Sequence, residues 1–143
     1  MKKLLVFLVA AVMFTGCAAD DVDFDGVAAA FRDAGYIVIG PLTVAGTTTL
    51  SASRVELGTA EATTTDMFSL TRFRRRAEAE VAWAAAGHLI EASREVNRAV
   101  AEMWAQVDLG IDIPPQPDQA RGRSGNLVWY GTPNALAVFE GAR

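Results

Sequence analysis

The sequence predicts an α+β fold, an α/β sandwich in which a small mixed sheet of three to five strands has helices packed on one face. A long alanine-rich segment repeats its apolar residues with the helical period. Short runs of β-branched and aromatic residues, bounded by glycine and proline, occur on both sides of it. The length of 143 residues suits one compact domain.

The first two elements follow one another closely. Phe24, Val27, Ala28 and Phe31 recur at three- and four-residue spacing, which predicts an amphipathic helix over 25–34. Gly35 ends that helix. "YIVIG" then predicts a short strand over 36–40, closed by Gly40-Pro41.

Residues 42–66 are rich in threonine and predict polar strands and loops, with "SRVEL" as one weak strand. The two threonine triplets have no base beside them, so we interpret them as ordinary β residues rather than nucleophiles. "DMFSLTRF" over 66–73 predicts a stronger strand with Phe68 and Leu70 on one face.

A long helix is predicted over 75–107, with one apolar stripe as its packing face: Val81, Ala85, His88, Ala92, Val96, Ala99 and Met103. His88 is the sole histidine. A catalytic base needs a nucleophile or an orienting carboxylate, and a zinc site needs three or four ligands. Because the sequence offers neither set, we interpret His88 as a packing residue and predict no metal and no cofactor.

The C-terminal part predicts a loop over 111–126, a strand at "LVWY" over 127–130, and a helix. Thr132 caps this helix, Pro133 takes its first position, and Leu136 and Phe139 face inward. The strands at 66–73 and 127–130 would form a right-handed βαβ crossover and be parallel. We expect the three tryptophans to fill the space between the layers: Trp83, Trp104 and Trp129.

The N-terminus follows the pattern of a secretory signal. Lys2 and Lys3 precede eleven uncharged apolar residues over 4–14, whereas a helix that spans a bilayer needs roughly 20 residues. A permanent membrane span is therefore the weaker alternative. A cysteine buried in the fold is the alternative for Cys17, the only cysteine.

"FTGC" resembles the lipobox of bacterial lipoproteins, with Thr15 and Gly16 in place and Phe14 where an aliphatic residue is usual. The resemblance implies cleavage before Cys17 and attachment of diacylglycerol to its thiol. Two acyl chains anchor a protein stably where one chain binds only marginally. The predicted organisation is a signal peptide over 1–16, an acidic tether over 17–24 and one α+β domain over 25–143.

Charge excludes one class of partner. Without its leader the chain has 11 arginines and no lysine against 17 acidic residues, a balance of −6. Nucleic acid is therefore not expected as a partner, because phosphate binding needs a basic surface. The acidic tether at "AADDVDFD" lacks the twelve-residue pattern of a calcium loop.

One basic cluster stands out in this acidic chain: Arg72, Arg74, Arg75 and Arg76. Arginines at a helix start oppose the helix dipole, so the cluster is a candidate anion-binding patch. The alternative is a solvated face neutralised by i,i+4 pairs between Arg74 and Glu78 and between Arg76 and Glu80.

The segments "FDGVAAAFRDAGY", "MFSLTRF" and "LVWYGTPNALAVF" are similar to segments of small bacterial lipoproteins of unassigned role. We expect an extracytoplasmic lipoprotein that membrane lipid holds at the cell membrane through Cys17. Its domain is expected to be a non-enzymatic module that binds an envelope protein or a small ligand. The alternative is a small hydrolase-like or metal-dependent envelope enzyme. A smooth sheet face or an apolar groove would favour binding, whereas two converging carboxylates or His88 beside an acid would favour the enzyme.

Overall fold

A computed structural model describes residues 21–57, 63–107 and 117–143, so Cys17, the signal peptide and most of the acidic tether lie outside the described residues. The described residues form three helices and five strands: α1 (Phe24–Asp33), β1 (Ile37–Val44), β2 (Thr47–Leu57), β3 (Thr63–Arg72), α2 (Arg76–Gln106), β4 (Ala120–Ser124), β5 (Leu127–Gly131) and α3 (Pro133–Ala142). The predicted α+β fold with one long helix is confirmed.

The strands form one sheet in the order β1-β2-β3-β5-β4. Every neighbouring pair is antiparallel, so the predicted mixed sheet and its parallel βαβ crossover are wrong. The cause is β4. After α2 the chain makes a β4–β5 hairpin, and this extra strand reverses the direction in which β5 reaches β3.

The strand β4 was predicted as part of the loop over 111–126. Its sequence, "ARGRS", has no β-branched or aromatic residue and carries two arginines. The strand forms through its pairing with β5, in which Gly122 lies opposite Trp129. A side chain at Gly122 would overlap the Trp129 ring, so glycine is what lets that ring lie over the hairpin.

The strands β1 and β2 extend furthest beyond their predicted bounds. β1 continues beyond Gly40 to Val44 through an irregularity between Ile39 and Leu42, where Gly40 adopts a φ of +100°. β2 has 11 residues rather than the five of "SRVEL". Both threonine triplets lie in strands, as predicted.

The core lies between the sheet and the two short helices α1 and α3. The ring of Phe31 on α1 stacks on Phe68 of β3 with centroids 4.7 Å apart, and Phe68 contacts Phe139 of α3 at 5.0 Å. Phe68 and Leu70 both face this core, which confirms the face predicted for that strand. Val22 and Phe24 are also buried here, so the folded region includes the last residues of the predicted tether.

The long helix α2 lies on the opposite side of the sheet. The prediction that the helices pack on one face is therefore correct for α1 and α3 alone. The guanidinium of Arg121 lies 3.7 Å from the ring centre of Trp83, and Arg123 pairs with Glu80 at 3.2 Å. These arginines alternate along β4 with Gly122, which faces Trp129. Only Trp129 of the three tryptophans therefore lies in the aromatic core, since Trp83 stacks on Arg121 and Trp104 is exposed.

A buried carboxylate joins four parts of this fold. Asp66 accepts hydrogen bonds from Arg54 Nη2 at 3.0 Å, Thr132 Oγ1 at 3.0 Å and Asn134 Nδ2 at 3.4 Å. Arg54 also donates to the carbonyl of Ala34, where α1 ends, at 3.2 Å. The contacts therefore link α1, β2, β3 and the start of α3.

Thr132 has a different role from the predicted one. It precedes α3 and Pro133 takes the first helical position, but its side chain does not cap the helix. Its hydroxyl accepts from the Met67 amide at 3.2 Å and donates to Asp66. This threonine thus fastens the start of α3 to β3.

We expect Asp66→Asn to lower the free energy of unfolding at pH 7 by about 2–4 kcal/mol, because it leaves the half-buried Arg54 without its carboxylate. Urea unfolding followed by circular dichroism measures this change. The matched control is Asp118→Asn. Asp118 forms an exposed pair with Arg94 at 2.6 Å, and the loss of an exposed pair changes the free energy of unfolding much less than the loss of a buried one. Equal losses in the two variants would contradict the role given to Asp66.

Candidate interaction surface

The side of the sheet that carries α2 is only half covered. The helix lies over β4 and β5, while no helix within residues 21–57, 63–107 and 117–143 covers the side chains of β1, β2 and β3 that point away from α1 and α3. We call these side chains the open face. On β1 they form a row of four exposed aliphatic residues: Ile37, Ile39, Leu42 and Val44.

Small hydroxyl side chains form the floor of the open face. Ser51 and Ser53 of β2 lie opposite Ile39 and Ile37, and Ser69 of β3 lies opposite Ser51. Met67 is the larger side chain in this area, and Gln119 Nε2 reaches its sulfur at 3.1 Å. Because the floor residues are short, a partner can approach the backbone of β2 and β3 closely.

The helix α2 and its C-cap residue Val107 carry a second exposed apolar row, which we call the α2 stripe: Leu89, Val96, Val100, Met103 and Val107. Leu89, Val96 and Met103 repeat every seven residues, the period of helix pairs. Every residue from Glu91 to Gln106 is exposed.

The predicted packing face of this helix is wrong for the described residues. Val81, His88, Val96 and Met103 are exposed, and the buried residues of α2 are Ala79 and Ile90 instead. The apolar residues do repeat with the helical period, but they lie on a side of the helix that no described residue covers. Small and polar residues make the true contact with β4, where Gly87 leaves room for the guanidinium of Arg121.

The α2 stripe is turned toward the open face. α2 runs antiparallel to β4, since Glu80 contacts Arg123 near the end of β4 and Arg94 contacts Asp118 just before its start. Val96 follows the buried Ile90 by six residues, which rotates it by about 120° around the helix axis. With this direction and a right-handed helix, the rotation points the stripe toward β3. Leu89 lies in the part of α2 that contacts residues 118–123, so it borders the open face on the side away from the β1 row. We call the open face between the β1 row and this first part of α2 the trough. The other stripe residues follow Arg94 and lie beyond these contacts.

The trough has the width of one helix. The strands β1 to β3 span two inter-strand spacings, about 9.5 Å, and an α-helix with its side chains is about 10–12 Å wide. Its side by α2 is fixed where Arg94 donates to Asp118 Oδ1 at 2.6 Å and to the Gln119 carbonyl at 3.2 Å. The hydrogen bond from Arg94 holds the pKa of Asp118 below its usual value.

The four clustered arginines have separate surroundings. Arg72 donates to the Val22 carbonyl at 2.8 Å and lies over the Phe24 ring at 4.9 Å. The Arg76 and Glu80 side chains pair at 3.5 Å, as predicted. Glu78 accepts from the Arg75 backbone amide at 3.3 Å. Arg72 thus holds the segment before α1. The anion-binding patch stays a prediction.

The remaining candidates are His88, a metal site and a membrane-spanning helix. His88 is exposed on α2. Within 21–57, 63–107 and 117–143, no cluster of three or more histidine, cysteine or acidic side chains could hold a metal ion. In the same ranges no helix combines the length and apolar character that a bilayer span requires.

Comparison of the chain with protein-family models, curated proteins and solved structures finds no match.

The trough was not predicted from the sequence, although "IVIGPLTV" carried a signal. Its apolar residues alternate with a period of two on the strand after α1, and strands with one covered face would place polar residues on the other.

We expect Arg72→Ala to loosen the segment before α1, because this arginine contributes both a hydrogen bond and a contact with the Phe24 ring. The free energy of unfolding should fall by about 1–2 kcal/mol. Amide hydrogen exchange of residues 22–27 should be faster. Arg74→Ala is the control and should change stability by less than about 0.5 kcal/mol, since Arg74 is exposed. The same exchange pattern in both variants would argue against this role.

Proposed function

We propose that this chain is a lipoprotein of the cell envelope, anchored through Cys17 on the extracytoplasmic side of the membrane. Its domain is a non-enzymatic interaction module that docks a partner in the trough. One observation carries the proposal: the exposed β1 row and the start of the α2 stripe at Leu89 border a floor of serine and threonine from two sides.

The size of these rows favours an interaction role. Ile37 and Val44 are 72% and 73% exposed, and Leu89 on the other side of the trough is 72% exposed. Isolated apolar residues on a surface are ordinary, but contiguous apolar patches beyond a few hundred Å² mark interaction sites. A partner that covers these rows removes apolar area from water, which stabilises the complex by about 25 cal/mol per Å².

The anchor would hold the trough close to the membrane. The buried Val22 follows Cys17 by five positions, a span of at most roughly 17 Å. A domain restricted to this distance meets membrane-bound partners at a high effective concentration. A moderate affinity in the trough is then sufficient for docking.

The anchor predicts a defined mass for the chain extracted from its own membranes in mild detergent. We expect cleavage before Cys17 and a diacylglyceryl adduct on that residue, both absent in Cys17→Ala. Native mass spectrometry of the two proteins measures this. An intact leader, or a cleaved chain with an unmodified Cys17, would show that the anchor is wrong.

Docking predicts that the trough is shielded in the membrane. Ile39→Cys places a thiol on the β1 row, and Asp33→Cys places one at the exposed end of α1 on the other side of the sheet. A membrane-impermeant maleimide should modify Ile39→Cys at least about fivefold more slowly in isolated membranes than in dilute detergent solution, because a docked partner excludes water. Asp33→Cys should react equally in both. Equal reactivity of Ile39→Cys in the two conditions would contradict the proposal that the domain is an interaction module.

A further inference from the structure

We propose that the occupant of the trough is a second copy of this chain. The α2 stripe of each copy lies in the trough of the other, with the two α2 helices antiparallel. This inference rests on the proposed function, because it names the partner of the same surface.

The shape of α2 supports a second copy. The helix has 31 residues, and the contacts with residues 118–123 involve its first 19, up to Arg94. The remaining turns, from Glu95 to Gln106, extend for about 18 Å with exposed side chains on every side. None of the residues that the structure describes covers the apolar side chains of this second half.

The open face offers the complementary shape. It is about one helix wide, it is bordered on one side by aliphatic residues of β1, and its floor is made of short side chains. A helix that enters it needs an apolar side with a seven-residue repeat, so that it can contact α2 and the sheet together. The second half of α2 has this side in Val96, Val100, Met103 and Val107.

Two-fold symmetry satisfies both surfaces in one step. Each chain carries one projecting helix and one trough on the same side of its sheet. In a two-fold dimer the same patch is used by both copies, so every contact is made twice. The antiparallel arrangement places the projecting end of one α2 beside the first half of the other, over Ile37, Ile39 and Leu42.

The area is sufficient for a stable dimer. The open face and the α2 stripe together expose on the order of 1,000 Å² of apolar side-chain surface per chain, compared with roughly 800 Å² per partner in a standard interface. Ten large apolar side chains contribute to it: Ile37, Ile39, Leu42, Val44, Met67, Leu89, Val96, Val100, Met103 and Val107.

The test is photo-crosslinking in cells that produce the full chain, with benzoylphenylalanine in place of Ile39. We expect an adduct of twice the chain mass, in which peptide mapping joins position 39 to residues 95–107 of the second copy. Benzoylphenylalanine in place of Asp33 is the positional control and should give no such adduct.

A pair of matched variants tests the helix that enters the trough. Met103→Asp lies on the α2 stripe and should reduce the dimer adduct at least tenfold, whereas Ala105→Asp lies on the opposite side of the helix and should leave it within twofold. Both residues are exposed, so both variants should fold, and circular dichroism verifies this.

The other outcomes separate the two proposals. An adduct with a different protein, or a dimer adduct that Met103→Asp and Ala105→Asp affect equally, overturns the second copy and leaves the interaction module intact. An adduct with lipid alone overturns both the second copy and the interaction module. Both are also overturned if neither position 39 nor position 33 gives an adduct and Ile39→Cys reacts equally in membranes and in detergent.

Discussion

The carboxylate of Asp66 is the interaction on which the arrangement of the other elements depends. It lies on β3, the central strand, and its partners come from β2 and from the start of α3. A carboxylate with an exposed fraction of only 6% is costly to bury unless its oxygens are paired. The three donors therefore hold their elements in one position, and any alternative docking of α3 would remove two of them and leave the carboxylate with Arg54 alone.

This constraint also determines which side of the sheet stays open. With α1 and α3 fixed on the core side, the third helix has only the other side available. The β4–β5 hairpin then fixes where α2 lies there, because Arg121 and Arg123 contact Trp83 and Glu80 near its start. One helix cannot cover five strands, so β1 to β3 remain open beside it. The trough is thus a consequence of topology together with the pairing of two arginines.

The helices and the central strand could be predicted because their apolar residues repeat with a period that only one local structure satisfies. The observed α1 and α2 begin and end within one residue of the predicted bounds. β4 could not be predicted in this way, since a strand of alanine, glycine and arginine is stabilised by its neighbour rather than by its own residues. Its omission alone produced the wrong strand direction.

The side of α2 that meets the sheet was also beyond prediction. Periodicity identifies the apolar side of a helix, and this helix has a more apolar side away from the sheet than against it. The contact with β4 uses a cation over a tryptophan ring and the absent side chain of Gly87, neither of which a hydrophobic pattern registers. The α2 stripe is connected to this error, because Val96 and Met103 belong both to it and to the predicted packing face.

The edge of the sheet explains why a partner would approach the face rather than pair with β1. An exposed edge strand is a template for a further strand, and apolar edges such as Ile37–Val44 are prone to it. Here Pro41 removes a backbone donor and the irregularity between Ile39 and Leu42 breaks the ladder. A strand added at this edge would lose its register after about three residues. The aliphatic side chains of β1 remain available on the open face, where a helix needs no backbone register to cover them.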